Sequence, residues 1–376
     1  MKQTVLFSTF LFLVLSSCTN TINISDYTFE DVPVIIDMDK VKKDTLKINY
    51  LKYIPLETTD ECLIGGINKT IIKNSRIYVG DFSIANALFV FDLNGRFLFK
   101  IARMGHGPGE YIRIVDFDIQ TNGDIYLYDT FGKKFLVFES NGEYLNTIQM
   151  EYGNRHFCLI DNKLYLSKPY GYGDGFASLA SYDMNNNKTE ILFDKKYLYD
   201  NKISDFREFD FCYSPDTVIY FAPKLSKIIF SIDRKGVHPA LGVKNLKETP
   251  KHTIETWLRE EDVIKRSELM MENPYFVDLS YVFENNNYIC FVYNTIVKEL
   301  VLYNKHSELI FQFSREILFS SLGIEIIKGS TGKCFFGVIE FNTGFKEHKK
   351  ILESREELKN WREDDNPVVV VFNLEN

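Results

Sequence analysis

Two stretches of this chain repeat each other about 47 residues apart. Residues 77–101 read IYVGDFSIANALFVFDLNGRFLFKI, and residues 125–148 read IYLYDTFGKKFLVFESNGEYLNTI. With one gap, Ile77, Tyr78, Asp81, Phe91, Asn94, Gly95, Leu98 and Ile101 align with Ile125, Tyr126, Asp129, Phe138, Asn141, Gly142, Leu145 and Ile148. A period of roughly 40–50 residues built from short strands is the pattern of propeller blades. One such sheet cannot bury both of its faces, so it must stack on neighbours.

Weaker copies continue to the end of the chain. KLYLS at 163–167 precedes LASYD at 179–183, and VIYFA at 218–222 precedes IIFSIDRKG at 228–236. YICFVY at 288–293 precedes ELVLYN at 299–304, and CFFGVI at 334–339 precedes PVVVVFN at 367–373. The expectation is an all-β, six-bladed propeller of four-stranded blades. In the second unit Val115, Phe117 and Ile119 alternate with Asp116 and Asp118, which suits an innermost strand with one wetter face. Asn94-Gly95 and Asn141-Gly142 fall where a third strand turns into a fourth, and Asn-Gly favours the positive φ of tight hairpins.

The last unit stops at its third strand. TLKINYLKYIPLE at 45–57 has strand character and is predicted to complete the sixth blade, removing an open edge. Residues 251–272 and 345–363 are charged with apolar residues at helical spacing, such as Ile254, Trp257 and Leu258 or Ile351, Leu358 and Trp361. Pro274 and Pro367 follow as stops, so both segments are expected to be helical insertions.

The N-terminus carries an address. Lys2 is followed by an apolar run from Val5 to Leu15, broken only by Ser8 and Thr9, and then by Leu15-Ser16-Ser17-Cys18. The run is too short for a mature bilayer span and suits a secretory signal. LSSC resembles a bacterial lipobox, which implies cleavage before Cys18 and acylation of its thiol. The expected division is a lipoprotein signal peptide at 1–17, a polar tether at 18–43 and the propeller at 44–376. The formal charge of −8 becomes −9 without Lys2, and an acidic surface of this kind disfavours nucleic acid. Cys62, Cys158, Cys212, Cys290 and Cys334 show no CxxC or CxxH spacing and mostly sit in apolar runs. They read as core residues rather than disulfides or metal ligands.

Residues 103–111 read RMGHGPGEY. This loop and the Ile-Tyr-x-x-Asp strand at 125–129 are similar to the NHL-repeat pattern. With Leu56-Glu57-Thr58 they more closely resemble a family of six-bladed β-propeller lipoproteins common in Bacteroidetes. The resemblance is specific over about residues 50–150 and architectural beyond. It implies the fold and an envelope location, and no common activity.

The glycine loop does not fit a phosphate cradle, because an alternating strand follows it where a helix N-terminus is needed and Glu110 would repel an anion. It reads first as a crossover between blades, and alternatively as a ligand contact through Arg103, His106, Glu110 or Tyr111. A second loop, KPYGYGDGF at 168–176, combines Tyr170, Tyr172 and Asp174, a set that suits a flat amphipathic ligand or simply covers a blade edge. Propeller connectivity assigns both loops and both helical insertions to one face, and elaborated loops on a rigid scaffold are where binding usually resides.

No HExxH, GxSxG or EF-hand pattern is present, and the six histidines are dispersed. Asp116, Asp118, His156, Glu208 and Asp278, on expected innermost strands, are the nearest material for a calcium or zinc site in the central channel. No cofactor is expected. The sequence reading is therefore a lipid-anchored envelope module, facing the periplasm or associated with the outer membrane, that binds a protein or glycan without chemistry of its own. The alternative is a channel-centred metal-dependent hydrolase or lyase of the lactonase kind.

Overall fold

The computed structural model describes residues 27–43, 47–167, 179–193, 211–213, 218–223, 226–272, 275, 279–293, 299–340, 355–362 and 364–375. The chain opens with three strands that belong to later blades: β1 (Val34–Asp37), β2 (Lys42–Lys43) and β3 (Ile48–Pro55). Blade one is β4 (Lys69–Lys73), β5 (Arg76–Asp81), β6 (Ala87–Asp92) and β7 (Phe97–Ile101). Blade two is β8 (Ile114–Ile119), β9 (Ile125–Asp129), β10 (Lys134–Phe138) and β11 (Tyr144–Gln149). Blade three is β12 (His156–Ile160), β13 (Lys163–Ser167), β14 (Leu179–Asp183) and β15 (Lys188–Phe193). Blade four holds β16 (Phe211–Tyr213), β17 (Ile219–Phe221), β18 (Ile228–Asp233) and β19 (Gly236–Lys244). Blade five holds β20 (Leu279–Glu284), β21 (Tyr288–Tyr293), β22 (Glu299–Asn304) and β23 (Ile310–Phe313). Blade six is β24 (Gly329–Ser330), β25 (Phe335–Ile339), β26 (Val368–Leu374) and, as its outer strand, β3.

The predicted closure is present. β3 pairs antiparallel with β26, setting Val370 opposite Tyr53 and Phe372 opposite Leu51. The Leu-Glu-Thr stretch then joins the last blade to the first. Leu56 is buried between them, and its N–H donates to Pro367 O. The Glu57 carboxylate accepts from Phe97 N at 2.8 Å, and Thr58 Oγ1 accepts from Asn366 N at 2.7 Å. Asn366 completes the seam, donating to Glu57 O and Cys62 O while accepting from Ile64 N.

The tether expectation needs correcting. Residues 34–37 pair in parallel with β19 on the rim of blade four, and Lys42–Lys43 pair in parallel with β23 on blade five. Ile36 is fully buried, and Tyr27 packs edge-on against Phe230 with ring centroids 5.4 Å apart. Segments this short gain order from a neighbour's unpaired edge rather than from a pattern of their own. Residues 27–43 are thus part of the fold.

Apolar side chains fill the space between successive blades around the ring: six and one, one and two, two and three, three and four, with one continuous cluster across four, five and six. Inner strands are also tied by polar groups. Lys69 Nζ of β4 lies 2.8 Å from Asp116 Oδ1 and 2.7 Å from Phe117 O on β8. Asp116 and Asp118 in turn accept from Phe157 N and Leu159 N of β12 at 2.9 and 2.7 Å. The two aspartates are buried, so their alternation marks a face turned to the next blade and not to a wet channel.

The Asn-Gly turns differ in one respect from the simplest hairpin. Only the glycine has positive φ, 82° at Gly95, and the ladder shifts register beside it. This is a three-residue turn with a bulge. A Cβ on Gly95 would stand 2.1 Å from Pro55 O, so the glycine also lets blade one approach β3.

Residues 251–272 form two helices, α1 (Lys251–Arg259) and α2 (Val263–Met271). Asp262 divides them because its carboxylate caps Ile264 N and Lys265 N at 2.8 and 3.2 Å. A third helix not foreseen, α3 (Arg315–Leu322), links blades five and six and stops at Gly323 with φ 78°. Of the insertion expected at 345–363, residues 355–362 are described and hold one 3-10 turn at Glu356–Leu358. The cysteine reading holds: Cys62, Cys158, Cys212 and Cys290 are buried, Cys334 is half-buried, and all five are free thiols.

Candidate functional site

The repeated Asp of the Ile-Tyr-x-x-Asp strands explains how one face is built. Asp81 ends β5, and its carboxylate accepts from Gly65 N, Gly66 N and Ile84 N at 2.8, 3.1 and 2.9 Å. Asp129 ends β9 and accepts from Ile112 N, Arg113 N and Gly132 N at 3.1, 3.1 and 3.2 Å. Each carboxylate thus binds the loop entering its blade to the loop between its second and third strands. Backbone N–H groups at a carboxylate are charge-assisted and hold irregular chain rigidly.

The glycine-rich loop is a crossover whose polar groups face inward. Gly107 N donates to Glu110 Oε2 at 2.8 Å, and that carboxylate lies so near Gly105 that a Cβ there would come within 2.1 Å of it. Tyr111 is fully buried, and its hydroxyl donates to Asn86 O at 2.8 Å and Ile101 O at 3.2 Å. Burial pushes the Tyr111 phenol up to about 12. Of the four loop candidates, Arg103 and His106 are exposed, whereas Glu110 and Tyr111 hold the loop in shape. The Arg103 guanidinium lies over the Phe138 ring at 5.6 Å and near Glu143 at 4.0 Å.

Beside exposed charged groups such as Arg103 and Arg113, this loop face carries five large apolar side chains outward. Leu63, Ile84, Met104, Ile112 and Phe131 are 56, 69, 67, 43 and 70 % exposed. All five lie on the loops that Asp81 and Asp129 fasten, or on the crossover between those blades. Ile84 and Phe131 sit in equivalent loops of blades one and two. Their signal was available, since each is a lone apolar residue in a polar loop, SIAN or TFGK, but a strand pattern absorbs such residues easily. Val263 and Ile264, opening α2 on another crossover, are also exposed.

The remaining candidates divide. Asp116 and Asp118 are engaged by backbone N–H groups, as above. His156 opens β12, with its N–H donating to Ser167 Oγ at 3.1 Å. Tyr170, Tyr172, Asp174, Glu208, Asp278 and Cys18 lie outside the described residues. Among the described residues no three His, Cys, Asp or Glu side chains converge as a metal would require. None of the described helices is long and apolar enough to cross a membrane.

Residues 31–373 match the profile of a domain of unknown function, DUF4934. Nothing among curated proteins matches. A crystal structure of a Bacteroides fragilis protein described as exported superposes with a TM-score of 0.71 at 16% identity, covering 91% of this chain and 100% of that one. A member of the DUF4221 family from Bacteroides vulgatus gives a TM-score of 0.49 at 11% identity, covering 88% and 98%. A virginiamycin B lyase from Staphylococcus aureus gives 0.38 at 11% identity, covering 78% and 83%, which carries no argument about chemistry.

Proposed function

The chain belongs to the DUF4934 family, and we propose that it is a lipid-anchored envelope module that docks a protein partner through the crossover face of blades one and two. The supporting observation is the group of five exposed apolar side chains on loops held by Asp81 and Asp129. Large apolar groups gathered on rigid loops mark interaction surfaces. Aliphatic tips suit a protein better than a glycan, which prefers flat aromatic platforms beside dense hydrogen-bonding groups. The envelope location rests on the signal-like N-terminus and LSSC, together with the exported relative from Bacteroides fragilis. The metal-dependent alternative has less to build on, because Asp116 and Asp118 already bind backbone N–H groups.

A photo-crosslinking amino acid placed at Phe131 or at Asn122, exposed in the turn between β8 and β9, tests this reading in the anchored protein. A discrete adduct is expected from position 131 and not from 122, on the opposite face, and Ile84→Asp should abolish it without lowering Tm. Adducts from 122 alone, or an adduct indifferent to Ile84→Asp, would refute the docking face.

A further inference from the structure

The exposed apolar side chains on the crossover face of blades one and two form a row, and hydrogen bonds fix its order. Asp81 ties Gly65 N, two residues past Leu63, to Ile84 N. Asn86, in the Ile84 loop, donates to Ile112 O at 3.1 Å and accepts from Ile114 N at 3.0 Å. Asp129 then ties Ile112 N and Arg113 N to Gly132 N, beside Phe131. The row therefore runs Leu63, Ile84, Ile112, Phe131, with Met104 held next to Ile112 by its bridge to Tyr111.

Its two ends carry opposite charge. Asp60 and Glu61 are exposed beside Leu63, and Lys100 Nζ, which donates to Glu61 O at 2.6 Å, offsets only one of them. Arg113 and Lys133 are exposed beside Ile112 and Phe131. Among the described residues, none of these four charged side chains has a partner in its own chain. The carboxylates of Asp129 and Glu110, at the basic end, turn instead to backbone N–H groups. Midway, Arg103 is balanced by Glu143 at 4.0 Å.

A strip that is acidic at one end, basic at the other and apolar between is complementary to itself. A two-fold axis through its middle lays it antiparallel on its own copy, so that each end meets its opposite. We propose that the partner docked on this face is a second copy of the chain, forming a two-fold dimer. Asp60 and Glu61 then lie against the partner's Arg113 and Lys133, and Leu63 and Ile84 against the partner's Phe131 and Ile112. The apolar middle supplies burial, and the charged ends set orientation. A partner of uniform charge, acidic or basic, would be repelled at one end of the strip. The dimer rests on the docking face proposed above and names its occupant.

Two differently tagged copies of the anchored full-length chain, each with the photo-crosslinking residue at position 131, test this when expressed together. An adduct of twice the chain mass carrying both tags is expected. Arg113→Glu with Lys133→Glu makes both ends acidic, and Asp60→Lys with Glu61→Lys makes both ends basic. Each pair of substitutions should lower the adduct between like copies at least tenfold, with Tm unchanged because all four side chains are exposed. Expressing the acidic variant with the basic one should restore the adduct, since every end then meets its opposite, and that recovery also shows that both variants fold. An adduct of any other mass would overturn the dimer and leave the docking face standing, whereas no adduct at all would overturn both. Mixed variants that crosslink no better than like copies would equally overturn the dimer.

Discussion

Lys69 and Asp116 face each other at 2.8 Å from neighbouring inner strands, both almost wholly out of water. The pair does more than neutralise itself. Asp116 also accepts from Phe157 N, so three consecutive blades meet at one carboxylate. Removing one member of a buried pair leaves the other charge uncompensated, which costs about 3–5 kcal/mol.

Asp116→Ala is therefore expected to destabilise the protein by about 3–5 kcal/mol in urea unfolding, because it leaves the buried Lys69 charge without its carboxylate and the Phe157 N–H without its acceptor. Lys69→Met, which leaves Asp116 its N–H partner, should cost less. Equal and small losses for both would mean that water reaches the pair.

Deleting residues through Ile64 removes β3 and leaves Val368–Leu374 as an open edge beside exposed core. That chain, starting at Gly65, should aggregate or lose cooperative unfolding, as read by size-exclusion chromatography and thermal melting. A soluble product melting like the parent would show that ring closure lies elsewhere.

Tyr111 sets an alkaline limit. Burial raises its phenol from the ordinary value of 10.0 to about 12, and burial likewise raises Tyr53, Tyr78 and Tyr220. The fold favours the neutral phenol, so this contribution is complete below pH 10 and is lost as pH climbs from there towards 12. For Tyr111 alone the loss is roughly 3 kcal/mol. Urea midpoints should stay level between pH 7 and 9 and fall steeply above 10. Tyr111→Phe should be less stable at pH 7, lacking its bonds to Asn86 O and Ile101 O, yet lose less on going to pH 12. An identical pH slope in the variant would remove Tyr111 from the explanation.

Cys18→Ser is expected to abolish lipid labelling and move the protein from the membrane to the soluble fraction. Retention on membranes with labelling intact would exclude acylation at this position.

Six blades, their turns and the closing strand were legible because the Ile-Tyr-x-x-Asp and Asn-Gly positions recur at a fixed interval. Periodicity reports which side chains share a face, but it does not say what the face meets. Asp116 and Asp118 alternate as channel-facing residues would, yet they meet the backbone of β12. The same ambiguity hid β1 and β2, whose order comes from hydrogen bonds to the rims of blades four and five. Glu110 and Tyr111 stayed open to the alternative reading as ligand contacts because loops rich in glycine and polar groups serve both recognition and their own shape. The cavity at the centre of the ring left no trace in sequence, since its lining residues come from all six blades.

An early strand, β3, pairs with the strand made last, β26, and that pairing has a kinetic meaning. Tyr53 and Val370 stand opposite each other with nearly the whole chain between them. Bringing such distant segments together carries a loop-closure penalty that local hairpins avoid, so contacts of this kind form late. A partly emerged chain can assemble hairpins and stack blades, but its sixth sheet has no outer strand until Val368–Leu374 is in place. Folding should therefore end in one slow ring-locking step. Unlocking that pair should equally be the first event of unfolding, which would give the native ring a lifetime set by β3 and β26 more than by any single blade.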